Sequence, residues 1–241
     1  MKVDIFIPCY IDQACPETGF NMVKVLEKAG VKVSYNKNQT CCGKFSFDDG
    51  YWDHAKSIGE KFIKDFIDSE MIVSPSASCV TMVRKYYDEL FYNSALHNEY
   101  RKLRKVIFEF SYFLVNNLNV KDVGATFSHN VFYCDSGAAH NEYGLKNEPL
   151  ILLKHVRGLK LVESENKVFN CNFEGFAINR YEIIYREMAA EIIQTAVDSG
   201  AEYIISTDAN NLLFLQACIK EKGIALKTAH LADVLASGYD G

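Results

Sequence analysis

Four cysteines stand just beyond three short apolar runs. Cys9 follows Val3–Pro8, Cys41 and Cys42 follow Val31–Tyr35, and Cys79 follows Met71–Ser74. A thiolate is a soft ligand that suits an iron–sulfur cluster or a tetrahedral zinc ion. The spacing Cys9-x31-Cys41-Cys42-Gly43-x35-Cys79 is unlike the paired knuckles of a zinc finger and unlike the close-set cysteines of a ferredoxin. Ligands so far apart in sequence meet only if the fold brings their loops together. Adjacent thiols at a turn then have a use, because both reach a polynuclear centre when the backbone bends around it. Gly43 permits that close approach or a positive φ. Cys9, Cys41, Cys42 and Cys79 are therefore the candidate metal ligands, and the competing reading is a set of unrelated buried thiols.

The remaining cysteines carry less. Cys15, in the loop CYIDQACPETG, is a possible fifth ligand or a plain loop thiol. Cys218 lies in the apolar helical run NLLFLQACIK and reads as core. Cys134 and Cys171 end corresponding elements of the second half, where they could be neighbours, and read as a structural vestige more than a weak site. The histidines at 54, 97, 129, 140, 155 and 230 are scattered; His140 and His230 fall near a predicted crevice edge of the second half. Asp135 and Asp208 end strands and could bind a cation, although acids there usually serve turns and caps. Tyr51 and Trp52 are expected either to line a crevice or to pack in the core.

The elements that must position these residues alternate along the chain, which predicts an α/β fold with mostly parallel sheets flanked by helices. Asn21–Ala29, with Gly30 as its stop, and Ala55–Ile67 read as helices of the first half. In the second half Asn130–Tyr133, Leu159–Val162 and Tyr203–Ser206 read as strands, and Leu150–Val156 and Arg186–Ser199 as helices. Laying MIVSPSASC on YIISTDANN gives an offset of 132 residues, and QTCCGKF on VFNCNFE gives 129. Such near-equal offsets indicate an internal duplication. The expected lobes are residues 1–120, with the thiol quartet, and 121–241, with a polar join near Asn117–Gly124. Loops at the carboxyl ends of parallel strands converge on one crevice, which is where the four cysteines would meet.

Composition narrows the partners. A net charge of −5 and a pI of about 5.7 argue against nucleic acid and anionic membranes. No apolar run approaches the roughly 18 residues that span a bilayer. The N-terminus MKVDIFIPCYIDQ reads as a first strand and not a signal peptide, so the expected compartment is the cytoplasm, where disulfides are disfavoured. There is no dinucleotide-binding glycine fingerprint, no P-loop, no nucleophile elbow and no Cys-x-x-Cys redox pair.

At these residues the chain resembles the cysteine-rich CCG-motif family. That family includes the iron–sulfur subunits of lactate-utilisation and glycolate oxidase complexes and the cysteine-rich subunit of heterodisulfide reductase. The likeness rests on PCYIDQACPETG, NQTCCGKFSFDDGY and VSPSASCVTMVRKYY, with weaker echoes in FYCDSG, NCNFEGFAI, SGAEYIISTDANN and HLADVLA. It implies a duplicated fold in which each CCG motif can carry a cluster. Cys9, Cys41, Cys42 and Cys79 match four of the ligands of the heterodisulfide reductase branch, while Ser76 replaces the first cysteine of its Cys-x-x-Cys pair. In the second half Gly137, Asn170-Cys171-Asn172 and Asn210-Asn211 replace expected ligands, so one cluster at most, of 4Fe-4S type, is expected.

The implied function is electron transfer within a 2-hydroxy acid oxidising complex, L-lactate foremost, beside other iron–sulfur subunits. The amides of Gly43 and Lys44 and the hydroxyls of Ser76 and Ser78 would tune the cofactor. The alternatives are a zinc-binding or metal-free assembly subunit on the same fold and a thiol–disulfide reductase.

Overall fold

The computed structural model describes residues 1–162, 170, 171, 173 and 181–239. Four parallel strands form the first sheet: β1 (Lys2–Ile5), β2 (Lys32–Tyr35), β3 (Ile72–Ser74) and β4 (Ile107–Glu109), in the order β2-β1-β3-β4. In the second half a short strand β6 (Asp135–Ser136) pairs with β8 (Asn170–Cys171). The second large sheet contains β5 (Asn130–Tyr133), β7 (Lys160–Val162), β9 (Tyr203–Ser206) and β10 (Lys227–His230), in the order β10-β9-β5-β7. Read from the other edge, that order is the first sheet again. The register agrees: Ile5 pairs with Val73 in one sheet and Tyr133 with Ile205 in the other. Val73 and Ile205 are 132 residues apart, the offset of the duplicated motifs.

The strands are short because a parallel sheet covered on both faces needs only a brief apolar run; β3 is buried throughout. Helices Pro16–Lys28 and Trp52–Phe66 connect the first three strands, each with one apolar stripe turned inward. Gly30 ends the first of them with φ +81°. In the second half, helices Glu148–Lys154 and Glu182–Asp198 occupy the corresponding connections.

Three larger clusters make the core. One, around Phe6, Phe62, Phe66, Tyr87 and Phe91, fills the first half behind the thiol loops. A second, around Phe132, Ile193, Ile204 and Leu215, fills the second half and contains Cys134, Cys171 and Cys218. The third runs between the halves, joining Val3, Met22 and Val73 to Val131, Ile205 and Leu231. Polar bonds reinforce that join, since Asp233 accepts hydrogen bonds from Thr18 at 3.0 Å and Asn21 at 2.9 Å.

Boundaries differ from the sequence expectations by a few residues. The expected strand Val3–Pro8 ends at Ile5, and Cys9 instead opens a helix, Cys9–Ala14. Strands β4 and β10 and the helical stretches after Ser76 and Leu96 have no counterpart among those expectations. No helix of the described residues is long and apolar enough to cross a membrane.

Candidate metal centre

The three loops that leave β1, β2 and β3 meet at one cavity, lined by Cys9, Cys41, Cys42 and Cys79 together with Tyr10, Phe45, Ser76 and Ser78. Its empty space is about 430 Å³, mouth included. Gln39 draws two of the loops together. Its side-chain oxygen accepts from the amide of Ile7 at 2.7 Å, and its Nε2 donates to the carbonyl of Ile5 at 3.2 Å. As a result the Cys9 and Cys41 sulfurs stand 3.6 Å apart. Tyr87, wholly buried, donates its hydroxyl to the carbonyl of Cys42 at 2.9 Å and so holds the adjacent-thiol turn from behind.

Gly43 follows the turn with φ +83°, the left-handed conformation its neighbours require before helix Lys44–Asp48. A Cβ there would also lie 3.1 Å from the carbonyl oxygen of Ala55. Gly43→Ala is expected to cost about 1–2 kcal/mol of stability in urea titration and to displace the thiols at the same time. An unchanged midpoint would refute that reading of the turn.

The thiols interact electrically. Cys41 is the one held as thiolate. The Cys42 thiol, then the Cys9 thiol, donate to its sulfur, and the amides of Gly43 and Cys42 add to them, so its pKa falls to about 3 against the opposing effect of burial. The Gly43 amide lies 3.3 Å from that sulfur. The protons of Cys9 and Cys42 are held tightly. Cys9 is pushed up first by its bond to Cys41 and then by burial. Cys42, 2% exposed, is pushed up by its bonds to Cys41 and Cys79 and by burial. A metal would have to displace those protons, so loading the site releases acid.

Cys79 lies in helix Ala77–Thr81, whose first turn is capped by Ser76: the Cys79 amide donates to the Ser76 hydroxyl at 3.2 Å. The Ser76 and Ser78 hydroxyls do not turn to sulfur, as the sequence suggested, but to Asp208 of the second half. The Gly43 amide does serve a sulfur. In sequence Asp208 reads as a turn or capping residue, which does not anticipate its place here. The signal was present, because the 132-residue offset lays Asp208 on Ser76.

Cys15 lies apart. It lines a different pocket, with Thr18, His230 and Asp233, and its thiol points to the carbonyl of Tyr10 at 3.9 Å. Cys218 is buried in the second core, as expected. Cys134 and Cys171 are neighbours and are joined as a disulfide with 6.2 Å between their α-carbons, whereas the other six cysteines are free. Tyr51 and Trp52 neither line the cavity nor enter the core. They are 62% and 59% exposed, with Trp52 stacked on Phe47. His140 is a surface residue 3.8 Å from Asp135, and His230 is buried and caps the helix Leu231–Leu235. Asn172 lies outside the described residues. Among the described residues no three His, Cys, Asp or Glu side chains surround a point where a single metal ion would sit; the four thiols instead line a common cavity.

A duplicated α/β chain with thiols gathered at the carboxyl ends of one sheet defines a class, the cysteine-rich proteins that carry thiols on strand-end loops. The cysteine-rich domain model of the CCG family matches residues 3–84 and again 133–216, and the chain belongs to that family. It is similar to lactate utilization protein A of Bacillus subtilis (strain 168), with 33% identity over 98% of this chain and 100% of that one. The same protein of Geobacillus kaustophilus (strain HTA426) is 34% identical, covering 98% of each. Among solved structures, an Asp/Glu racemase from Yersinia pestis shares 10% identity at a TM-score of 0.36, with 98% of this chain and 96% of that one covered, too distant to carry an argument.

Proposed function

We propose that this chain is the iron–sulfur electron-transfer subunit of a complex that oxidises a 2-hydroxy acid, L-lactate foremost, working in the cytoplasm beside other iron–sulfur subunits. The observation that carries the reading is the meeting of Cys9, Cys41, Cys42 and Cys79 in one cavity at three strand ends. The full-length similarity to lactate utilization protein A supports the substrate. In this reading residues 1–120 form the lobe that bears the site and 121–241 the lobe that has lost one.

The donor set fits a polynuclear cluster: four thiols, one already a thiolate, on loops that approach from different sides. Bound there, a 4Fe-4S cluster would supply one-electron redox chemistry. The protein's own part is to hold four sulfurs, to keep one of them deprotonated, and to place the amides of Gly43 and Cys42 at sulfur, which favours the more negative state.

A zinc-stabilised assembly subunit is the second reading. The 3.6 Å between the Cys9 and Cys41 sulfurs resembles the ~3.8 Å expected for two thiolates on one tetrahedral zinc. Metal and acid-labile sulfide assays on anaerobically purified protein separate the two. Iron and sulfide in near-equal amounts are the expected result; zinc without sulfide would sink the electron-transfer reading.

A further inference from the structure

We infer that Asp208, from the half that lacks a thiol quartet, is a positioning residue for Cys79 in the other half. The inference builds on the thiol site proposed above, and its test needs no bound metal.

Asp208 stands at the N-cap of helix Ala209–Glu221, where an aspartate ordinarily accepts from its own helix; its side chain makes no such bond. Instead one oxygen, Oδ1, crosses to the first half. It accepts from the Ser76 hydroxyl at 2.7 Å, the Ser78 hydroxyl at 2.9 Å and the Ser78 amide at 3.2 Å. The residue is 0% exposed, and its other oxygen has no hydrogen-bond partner among the described residues. Burying a carboxylate this way is costly unless its bonds repay it. All three of its bonds go to the loop that carries Cys79.

The protons show how that loop is governed. A serine hydroxyl has one hydrogen. Ser76 gives its hydrogen to Asp208, so a lone pair is left facing the Cys79 amide, which donates to it at 3.2 Å. Ser78 gives its hydrogen to the same carboxylate, so the 3.1 Å contact between the two hydroxyls involves no competing donation. Asp208 thus fixes the rotation of Ser76, and Ser76 fixes the first turn of the helix bearing Cys79. Ala209 and Asn210, the next residues, line the thiol cavity itself. Ser76 and Asp208 are also equivalent residues of the duplication, 132 positions apart, so the bond joins the same position in the two halves.

The test is the rate at which Cys79 is alkylated by iodoacetamide in the metal-free full-length chain, read by peptide mass spectrometry. Buried Cys218 serves as the control for global opening. Asp208→Ala is expected to raise the Cys79 rate about fivefold with Cys218 unchanged. Asp208→Asn, whose amide oxygen can take the same three bonds, is expected to return it to within about twofold of the original. An unchanged Cys79 rate in Asp208→Ala, a parallel rise at Cys218, or no rescue by asparagine overturns the inference. Should Asp208→Ala fail to fold, Ser76→Ala reads the same relay from the other side, and an unchanged Cys79 rate there overturns it too. Because no metal is needed, a chain without iron leaves this test intact. Iron-bearing protein with unresponsive rates would sink only this inference.

Discussion

Cys42→Ala is expected to lower bound iron and acid-labile sulfide by more than about tenfold, whereas Cys15→Ala and Cys218→Ala should leave both in place. Cys42 is the most enclosed of the four thiols and is bonded to both Cys41 and Cys79. Its peptide is pinned by Tyr87, so the turn has little freedom to bring another group into its place. Neither spare thiol is near: Cys15 lines a separate pocket and Cys218 lies in the core of the other half. Alanine removes one sulfur from an apolar setting, at a cost of about 1 kcal/mol, so the chain should remain folded by circular dichroism. Removing Cys42 also takes a hydrogen bond from Cys41, whose low pKa owes most to it. Full iron and sulfide in the variant would remove Cys42 from the ligand set. Loss from Cys15→Ala would instead add Cys15 to it.

Much of this arrangement is legible in the residues alone. The motif offsets expose the duplication because paired parallel strands keep their register: Ile5 with Val73 and Tyr133 with Ile205 are the same contact made twice. Gly43 reads as a positive-φ position because few residues other than glycine tolerate that conformation. The strand-end cysteines can be placed together because parallel sheets deliver their loops to one edge. What stays hidden is polar and long-range. Gln39 looks like any polar loop residue, yet it ties two thiol loops together. Asp208 looks like a cap, and only the approach of the other half gives its carboxylate different partners. Strands β4 and β10 escape notice because each is only three or four residues long, β4 following the charged stretch Arg101–Lys105 and β10 itself mixing polar and apolar residues. Tyr51 and Trp52 show the limit of composition, since aromatic residues beside a motif need not face it.

The edge strands conceal the second large effect. Glu109 ends β4 as His230 ends β10; each is buried, and each side chain accepts from the helix that follows. Burial is the chief cause that raises the Glu109 carboxyl from its ordinary 4.5 to about 7, and the nearby charge of Asp208 adds to it. Bonds from the Ser111 hydroxyl at 2.5 Å and the Tyr112 amide at 2.9 Å oppose the rise without cancelling it. Below pH 4.5 the group is protonated in both folded and unfolded chains, and its contribution is fully present. Between 4.5 and 7 the unfolded chain gives up the proton while the folded chain keeps it, so stability falls as pH rises. Above 7 the folded chain carries the whole penalty, about 3 kcal/mol. Glu109→Gln keeps an oxygen for both donors and carries no charge. It is therefore expected to stabilise the protein by about 3 kcal/mol at pH 8 and by close to nothing at pH 4. Urea unfolding of both proteins at pH 4, 6 and 8 decides the matter. A difference that does not grow with pH would mean that Glu109 is ionised at little cost, and that its surroundings are better hydrated than its burial implies.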